Sequence, residues 1–283
     1  MMIGITTICN IDCPWCAAKF DRRTYLKTKN KVITKYVEND LFEYIKNNDI
    51  KSLSITGGEP LLFPEIVKRI VINIRKEFGK DFRISILTNG LLLDADLVDF
   101  FNEYQVDLSI SLSITGYKSL TNLIDKAKCP SELINLFKNL KYKRFHIVID
   151  KSTSFAKEAF ILHKLYNCNI EYTIDLIAAF DYTESDIDYI RKEIEILKNI
   201  SSDFTWFTLL YGSTRYCTCT NNVTMNVDGE IIITHPEFGP MYGCKSVNFR
   251  LGDKLYNQYC IIANNFEYEK EILSHGQNLS DIY

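Results

Sequence analysis

The sequence predicts an α/β fold, a parallel sheet curved into a partial (β/α)6 barrel, followed by a small cysteine-rich extension with a β-hairpin. Three observations lead to this prediction. Six short β-rich runs alternate with amphipathic segments, the strand candidates carry one polar face, and the alternation stops near Asp203. We therefore place a core at residues 1–202 and the extension at residues 203–283 of the 283-residue chain.

The strand candidates are residues 2–7, 51–56, 82–88, 106–114, 144–150 and 170–178. In the fourth candidate Ser109, Ser111 and Ser113 alternate with apolar residues, so the hydroxyls share one face. A doubly wound sheet is covered by helices on both faces, and its strands are nearly continuously apolar. A curved sheet with helices outside and a polar interior fits the pattern better, and core hydroxyls with satisfied hydrogen bonds are the alternative.

The segments between the strand candidates have the apolar spacing of helices. One such stripe consists of Val37, Leu41, Phe42 and Ile45. Pro64 suits the first turn of the second helix, Pro130 suits the start of the fourth, and Asp94 opens the third. Helical crossovers between successive strands predict a parallel sheet.

The C-terminal region, residues 203–283, lacks this alternation. Residues 223–233 are typical of two short strands around the turn Asp228-Gly229. Because no linker-like tract precedes the region, we expect it to pack directly on the barrel without a helix-covered core of its own.

Composition and charge exclude several classes of protein. Lys and Arg number 33 against 36 Asp and Glu, a formal charge of -3, so we expect no nucleic-acid partner. No apolar run reaches the roughly 20 residues of a membrane helix, so we expect no membrane partner either. The first residues lack a basic start and include Asp12, unlike a secretion signal. We expect a cytoplasmic protein with reduced thiols.

Three of the nine cysteines lie within eight residues, directly after the first strand candidate: Cys9, Cys13 and Cys16. Three thiolates on one short loop can ligate three irons of a 4Fe–4S cluster and leave the fourth iron open to a substrate or cofactor. A structural zinc site is the alternative, although it requires a fourth ligand. Cys129 and Cys168 stand alone, and we expect both to be buried.

The turn Gly57-Gly58-Glu59-Pro60 follows the second strand candidate. Two residues without a Cβ allow a ligand to approach the backbone, and Pro60 favours an extended Glu59. An ordinary strand-to-helix turn is the alternative. The turn and the cysteines both lie at carboxyl ends of neighbouring strands, the edge where α/β barrels assemble their sites.

The motif C-x3-C-x2-C followed by GGEP resembles the radical S-adenosylmethionine (SAM) superfamily over residues 3–178. The resemblance implies a 4Fe–4S cluster on Cys9, Cys13 and Cys16, whose open iron binds the amino and carboxylate groups of SAM. It also implies contacts with SAM from Trp15, Gly57, Gly58, Glu59, Pro60, Asn89, Ser111 and Lys151.

These contacts follow the family pattern. The aromatic ring of Trp15 is placed against the adenine, and the backbone carbonyls of the GGEP turn bind the methionine amino group, with the charge of Glu59 nearby. Asn89 borders the cofactor at the end of the third strand. Ser111 and Lys151 are assigned to the SAM carboxylate, or Ser111 to the ribose, although this chain has Ser113 where many relatives have an aspartate.

The activity implied by the resemblance is reductive cleavage of SAM to methionine and a 5′-deoxyadenosyl radical, which abstracts hydrogen from a substrate C–H bond. An electron donor such as flavodoxin or ferredoxin is implied as a partner.

The second group of cysteines resembles the SPASM/twitch extension, which carries auxiliary Fe–S clusters. Cys217-Thr-Cys219 precedes the hairpin glycine, but Thr234 stands where that family has a further cysteine. The resemblance implies one auxiliary cluster on Cys217, Cys219, Cys244 and Cys260. His235 is an alternative ligand, and zinc or four unconnected thiols are the alternatives to a cluster.

Relatives with such extensions mostly modify peptides. We therefore expect a ribosomally made peptide as substrate, with a crosslink, a thioether or an epimerised residue as the product. A small metabolite is the first alternative, an amino acid or a nucleoside, and a zinc-stabilised binding module without activity is the second. Because Cys9 lies so near the start, we expect either a separate leader-binding protein or recognition by the barrel interior and the C-terminal region.

Overall fold

The computed structural model of the chain describes residues 1–11, 30–111, 130–149, 154–174, 184–201, 207–210 and 222–234. Within these ranges nine strands form one sheet, in the spatial order β7-β6-β5-β4-β3-β2-β1-β8-β9. The strands are β1 Met2–Gly4, β2 Ser52–Thr56, β3 Arg83–Thr88, β4 Asp107–Ile110, β5 Lys143–Ile149, β6 Asn169–Ile174, β7 Phe207–Leu210, β8 Asn222–Met225 and β9 Ile231–Thr234. Every neighbouring pair is parallel except the β8–β9 hairpin.

Helices follow the strands in the predicted alternation. They are α1 Lys35–Asn47, α2 Pro64–Phe78, α3 Ala95–Glu103, α4 Pro130–Asn139, α5 Phe155–Tyr166 and α6 Glu184–Ile200. All six predicted strands and the helices between them are present, and the predicted partial (β/α)6 arrangement is confirmed.

Local sequence explains where the helices begin. The Asp94 carboxylate accepts a hydrogen bond from the Leu97 N–H at 2.8 Å and so caps α3. Thr34 caps α1 in the same way through the Val37 N–H. Pro64 and Pro130 are the first residues of α2 and α4, as predicted, where a missing N–H has no cost.

The two faces of the sheet differ in the way the sequence predicts. Leu53 and Ile55 of β2 are buried on the face covered by helices, with Ile84 and Ile86 of β3. The core of α2 packs on this face through Val67, Ile70, Val71 and Ile74, which are all fully buried. The opposite face of β2 carries Ser52, Ser54 and Thr56, which are half-buried. The polar interior face is therefore confirmed for the central strands.

The C-terminal region adds strands to both edges of the core sheet. β7 pairs with β6, and β8 pairs with β1. The predicted hairpin around Asp228-Gly229 is present as β8 and β9, and Gly229 takes a positive φ of 83° in its turn. Met225 and Val227 of the hairpin are buried in the common core, so this part packs directly on the barrel. The division of the chain at residue 202 stays a prediction.

Among the helices in the described ranges, none is both long and apolar enough to cross a membrane.

Candidate functional site

The carboxyl ends of the first four strands meet at one edge of the sheet. Gly4 of β1 pairs with Thr56 of β2, and Thr88 of β3 pairs with Ile110 of β4. The cysteine motif, the GGEP turn and the segments that begin with Asn89 and Ser111 all follow these strand ends. The topology therefore brings Cys9, the GGEP turn, Asn89 and Ser111 to one edge, as expected for an α/β barrel.

The GGEP turn lies directly on the backbone that leads to Cys9. The Gly58 N–H donates to the Thr6 carbonyl at 2.7 Å, and the Glu59 N–H donates to the Ile8 carbonyl at 2.8 Å. A Cβ on Gly57 would lie 2.3 Å from the Thr6 oxygen, and a Cβ on Gly58 would lie 2.1 Å from the Ile8 oxygen.

This contact explains why glycine is needed at both positions, and the explanation differs from the one expected. The sequence suggested that they allow a ligand to approach the backbone. In the structure the space beside their Cα atoms is filled by residues 6–8 of the chain itself. The glycines thus fix the turn against the segment that carries the first cysteine.

The Glu59 carboxylate is 1% exposed and accepts hydrogen bonds from the protein. Its Oε1 accepts from the Leu61 N–H at 3.0 Å and from the Thr88 hydroxyl at 2.7 Å, and its Oε2 accepts from the Asn89 N–H at 2.8 Å. Glu59 itself is extended (φ -131°, ψ 107°), as expected for a residue before proline. A buried carboxylate therefore joins the ends of β2 and β3.

Asn89 continues this network toward the cysteine motif. Its side-chain amide donates to Asn10 Oδ1 at 2.8 Å, and its Oδ1 accepts from the Leu91 N–H at 3.0 Å. Asn10 follows Cys9, whose thiol is exposed and lies 4.0 Å from Asn10 Oδ1. A chain of hydrogen bonds therefore runs from the buried Glu59 to the residue beside the first cysteine.

Sequence reasoning missed three members of this network: Thr6, Asn10 and Thr88. Each lies within a motif that was recognised, or next to one, but the motif itself did not single out its side chain. The Thr6 hydroxyl accepts from the Ile8 N–H at 3.0 Å, and the Thr88 hydroxyl accepts from the Gly90 N–H at 3.0 Å. Thr6 and Thr88 share one signal, a hydroxyl at or just past a strand end, where the backbone leaves the ladder with unpaired donors. Asn10 has no such signal, because it accepts from the side chain of Asn89.

The Ser111 N–H donates to the Thr88 carbonyl at 2.7 Å, which places Ser111 at the same edge as Asn89. Several predicted site residues lie outside the described residues, and their assignments stay predictions. They are Cys13, Trp15, Cys16, Lys151, Cys217, Cys219, Cys244 and Cys260.

The interior face of β4 and β5 carries charge as well as hydroxyls. Arg144 and Asp107 form an ion pair with a nitrogen–oxygen distance of 3.0 Å, and the Arg144 side chain is 14% exposed. His146 lies two positions further along β5, toward the carboxyl edge, and is half-buried. Strand alternation places these groups on the face opposite Phe145, which is buried against Phe137.

Cys168 lies just before β6, at the amino end of the sheet, and is buried as expected. Burial raises the pKa of its thiol to about 12, with the charge of Lys143 acting in the opposite direction. A neutral thiol of this kind is chemically inert. Cys168 is therefore a core residue, in contrast with the exposed Cys9.

Cys9, the one predicted cluster ligand that lies within the described ranges, has the chemistry of an iron–sulfur cluster ligand. The Cys9 thiol is exposed at the carboxyl edge, and soft thiolate donors favour Fe–S clusters. The turn beside it is fixed by backbone hydrogen bonds, so a cofactor bound there would contact an ordered backbone.

Comparison with known proteins agrees with this geometry. The family model of the radical SAM superfamily matches residues 3–153, just over half of the chain. An S-adenosylmethionine-dependent nucleotide dehydratase of Fibrobacter sp. is 31% identical over 145 residues, covering 49% of this chain and 40% of that protein. The radical SAM cyclopropyl synthase TigE of Paramaledivibacter caminithermalis is 24% identical over 212 residues, covering 69% and 45%. The match thus spans less than half the length of these curated relatives.

Among solved structures, Streptococcus suis SuiB bound to S-adenosylmethionine superposes with a TM-score of 0.61 and 17% identity, covering 90% of this chain and 62% of SuiB. This likeness supports the fold.

Proposed function

The chain belongs to the radical SAM superfamily, and from this premise we propose that it is an enzyme that cleaves SAM reductively and abstracts hydrogen from a substrate C–H bond. The observation that carries the proposal is the hydrogen-bonded edge that ties the GGEP turn to the backbone of residues 6–8 and, through Glu59 and Asn89, to Asn10. This edge holds the exposed Cys9 beside a preorganised turn.

The 4Fe–4S cluster would be held by Cys9, Cys13 and Cys16. With SAM bound, the cluster would supply the electron for cleavage to methionine and a 5′-deoxyadenosyl radical, with flavodoxin or ferredoxin as the electron source. The residues of the chain position the cofactor. The GGEP turn offers backbone groups to the methionine amino group, Ser111 stands at the neighbouring strand end, and Trp15 and Lys151 complete the family pattern.

The described structure supports a framework role for the Glu59 carboxylate. Both of its oxygens accept hydrogen bonds from the protein, and the side chain is almost fully buried. Its effect on a bound cofactor would then come through the position of the turn and of Asn89. The mechanism needs such rigidity because a reactive radical must meet its target hydrogen in a fixed geometry.

For the substrate we propose a ribosomally made peptide. Among the described residues of the interior face, hydroxyls outnumber charges, and the Arg144 charge is balanced by Asp107. Arg83 also lies on this face, but at the amino end of β3, away from the edge that carries the site. A nucleoside triphosphate needs several uncompensated cations, whereas a peptide segment needs hydrogen-bonding groups of both kinds. A mixed, nearly neutral interior therefore favours a peptide.

A small metabolite, in particular a nucleotide, is the second candidate. It is favoured by the 31% identity with the nucleotide dehydratase over 145 residues of the barrel.

The first test concerns the cofactors. The full chain is reconstituted anaerobically with iron and sulfide, and 5′-deoxyadenosine is measured after addition of SAM and dithionite. We expect a brown protein that cleaves SAM. Cys9→Ala abolishes cleavage, whereas Cys168→Ala is the matched control and retains it because that thiol lies in the core. A colourless zinc protein inert to SAM would refute the proposal and favour a binding module.

The second test concerns the substrate. The loaded enzyme is incubated in deuterated buffer with candidate peptides and, separately, with nucleoside triphosphates, and products are identified by mass spectrometry. A peptide whose mass changes in step with 5′-deoxyadenosine formation supports the first candidate. A modified nucleotide with unchanged peptides overturns it in favour of the second.

A further inference from the structure

The segment that carries the three motif cysteines is closed at its base by a short antiparallel pairing. Thr6 and Val32 form a bridge, the Thr7 N–H donates to the Lys31 carbonyl at 3.0 Å, and the Ile33 N–H donates to the Ile5 carbonyl at 2.8 Å. We call residues 5–7 and 31–33 the neck, because they bracket residues 8–30 and thus all three cysteines.

Lys31 in the neck is held at both its backbone and its side chain. Its N–H donates to Thr7 Oγ1 at 2.9 Å, and the Thr6 hydroxyl donates to its carbonyl at 3.0 Å. At the other end, its ammonium nitrogen donates to both carboxylate oxygens of Asp228, at 2.9 and 2.8 Å. Asp228 lies 197 positions away, in the turn between β8 and β9.

The hairpin turn presents Asp228 in a fixed position. Asn226 Oδ1 accepts hydrogen bonds from the N–H groups of Asp228 at 3.0 Å and Glu230 at 2.9 Å, which orders the turn. A Cβ on Gly229 would lie 3.3 Å from Val37, so the turn packs on α1. Because Val227 beside it is buried in the core, the carboxylate reaches Lys31 from a rigid base.

The neck in turn contacts the GGEP turn. The Thr6 carbonyl accepts the Gly58 N–H at 2.7 Å, and the Thr6 hydroxyl accepts the Ile8 N–H at 3.0 Å. Continuous contacts therefore run from the C-terminal hairpin through Lys31 and Thr6 to the residues beside Cys9.

We propose that Lys31 and Asp228 are positioning residues through which the C-terminal hairpin holds the neck closed and keeps residues 6–8, which lead to Cys9, against the GGEP turn. The pair was not recognised in the sequence and touches no predicted cofactor ligand. Its role for the cluster rests on the proposed function, whereas its effect on the neck does not.

The test of the neck uses the full chain without metal. Hydrogen–deuterium exchange is followed by mass spectrometry in peptides covering residues 1–11, 30–34 and 57–59. Both side chains are about two-fifths exposed, so we expect the pair to contribute no more to stability than an ordinary surface ion pair. We expect Lys31→Met and Asp228→Asn each to raise exchange in the neck by about two- to fivefold. The double variant should show little further increase, and the charge-swapped Lys31→Asp with Asp228→Lys should recover part of the protection.

Lys46→Met is the matched control, because it removes a surface ion pair with Glu77 elsewhere on the molecule. It should leave exchange in the neck unchanged. Unchanged neck exchange in both Lys31→Met and Asp228→Asn would overturn the proposal, as would an increase spread evenly over the whole sheet.

A second measurement connects the neck to the cluster. After reconstitution, iron is removed with a chelator, and we expect Asp228→Asn to lose iron about two- to fivefold faster than Lys46→Met. Equal rates would overturn the link to the cluster. If the unsubstituted protein binds no iron through Cys9 while neck exchange still responds to Asp228→Asn, the proposed function fails and the structural role of the pair stands.

Discussion

Replacement of Glu59 tests whether its carboxylate is a structural acceptor or a direct ligand of the cofactor. The side chain is 1% exposed and accepts from the N–H groups of Leu61 and Asn89 and from the Thr88 hydroxyl. Glu59→Gln keeps one oxygen, which can serve Leu61 and Thr88. Its new NH2 group then faces the Asn89 N–H, so that one hydrogen bond to a charged acceptor is lost and two donors oppose each other.

A hydrogen bond to a charged group is worth about 1.5–3 kcal/mol, so we expect Glu59→Gln to lower the free energy of unfolding by about 2 kcal/mol. Glu59→Ala leaves two buried backbone N–H groups without an acceptor, at about 1–3 kcal/mol each, and opens a cavity. We expect a loss of about 4 kcal/mol for this variant. Glu103→Gln at the exposed end of α3 is the control, with a change within about 0.5 kcal/mol.

The assay is urea unfolding of the full chain without cofactors, together with SAM binding to the reconstituted protein by calorimetry. In the framework role, stability falls before any ligand is added, and affinity falls with it. A Glu59→Gln protein that unfolds like the unsubstituted chain yet binds SAM much more weakly would refute the reasoning, because the carboxylate would then contact the ligand directly.

Three further predictions concern other parts of the molecule. Gly58→Ala should cost about 3 kcal/mol in urea unfolding, because its Cβ would lie 2.1 Å from the Ile8 oxygen. Gly4→Ala is the control, because its Cβ would lie 4.0 Å from the Met225 oxygen and no positive φ strains it, so stability should change by less than about 1 kcal/mol. Equal losses of stability in the two variants would contradict this explanation. Burial raises the pKa of Cys168 from 9.0 to about 12, so the folded state keeps its proton where the unfolded state loses it. Cys168 should therefore lower stability by about 1 kcal/mol per pH unit between about pH 9 and 11. Cys168→Val should remove this part of the pH dependence, and the same pH dependence in the variant and the unsubstituted chain would disprove the assignment. Replacing Cys217 and Cys219 with alanine should lower the iron content yet leave uncoupled SAM cleavage largely intact. An unchanged iron content would refute the predicted auxiliary cluster.

The fold was accessible from the sequence because its determinants are local. Alternation of apolar residues predicted the strands, and Asp94 and Pro64 predicted helix starts, since a cap or a missing N–H acts within one turn. The hairpin followed from Asp228-Gly229 for the same reason.

The details of the site were less accessible because they depend on contacts between distant segments. The motif identified Glu59, but its acceptor role depends on Thr88 and Asn89, which only the pairing of β2 with β3 brings near. Gly57 and Gly58 pack against the backbone of residues 6–8, on the side where the sequence suggested a ligand. The contact between Lys31 and Asp228 has no local pattern at all, because two charges 197 positions apart carry no shared periodicity.

The pairing of β1 with β8 has a consequence for biosynthesis. Met2 and Thr224 are register partners, so the first strand gains this neighbour only after the more than 200 residues between them have been synthesised. Until then the side of β1 that later pairs with β8 is a strand edge, and its N–H and C=O groups can pair with another nascent chain. A chain that ends before β8 should therefore be prone to aggregate, and chaperones would have to cover that strand edge during synthesis.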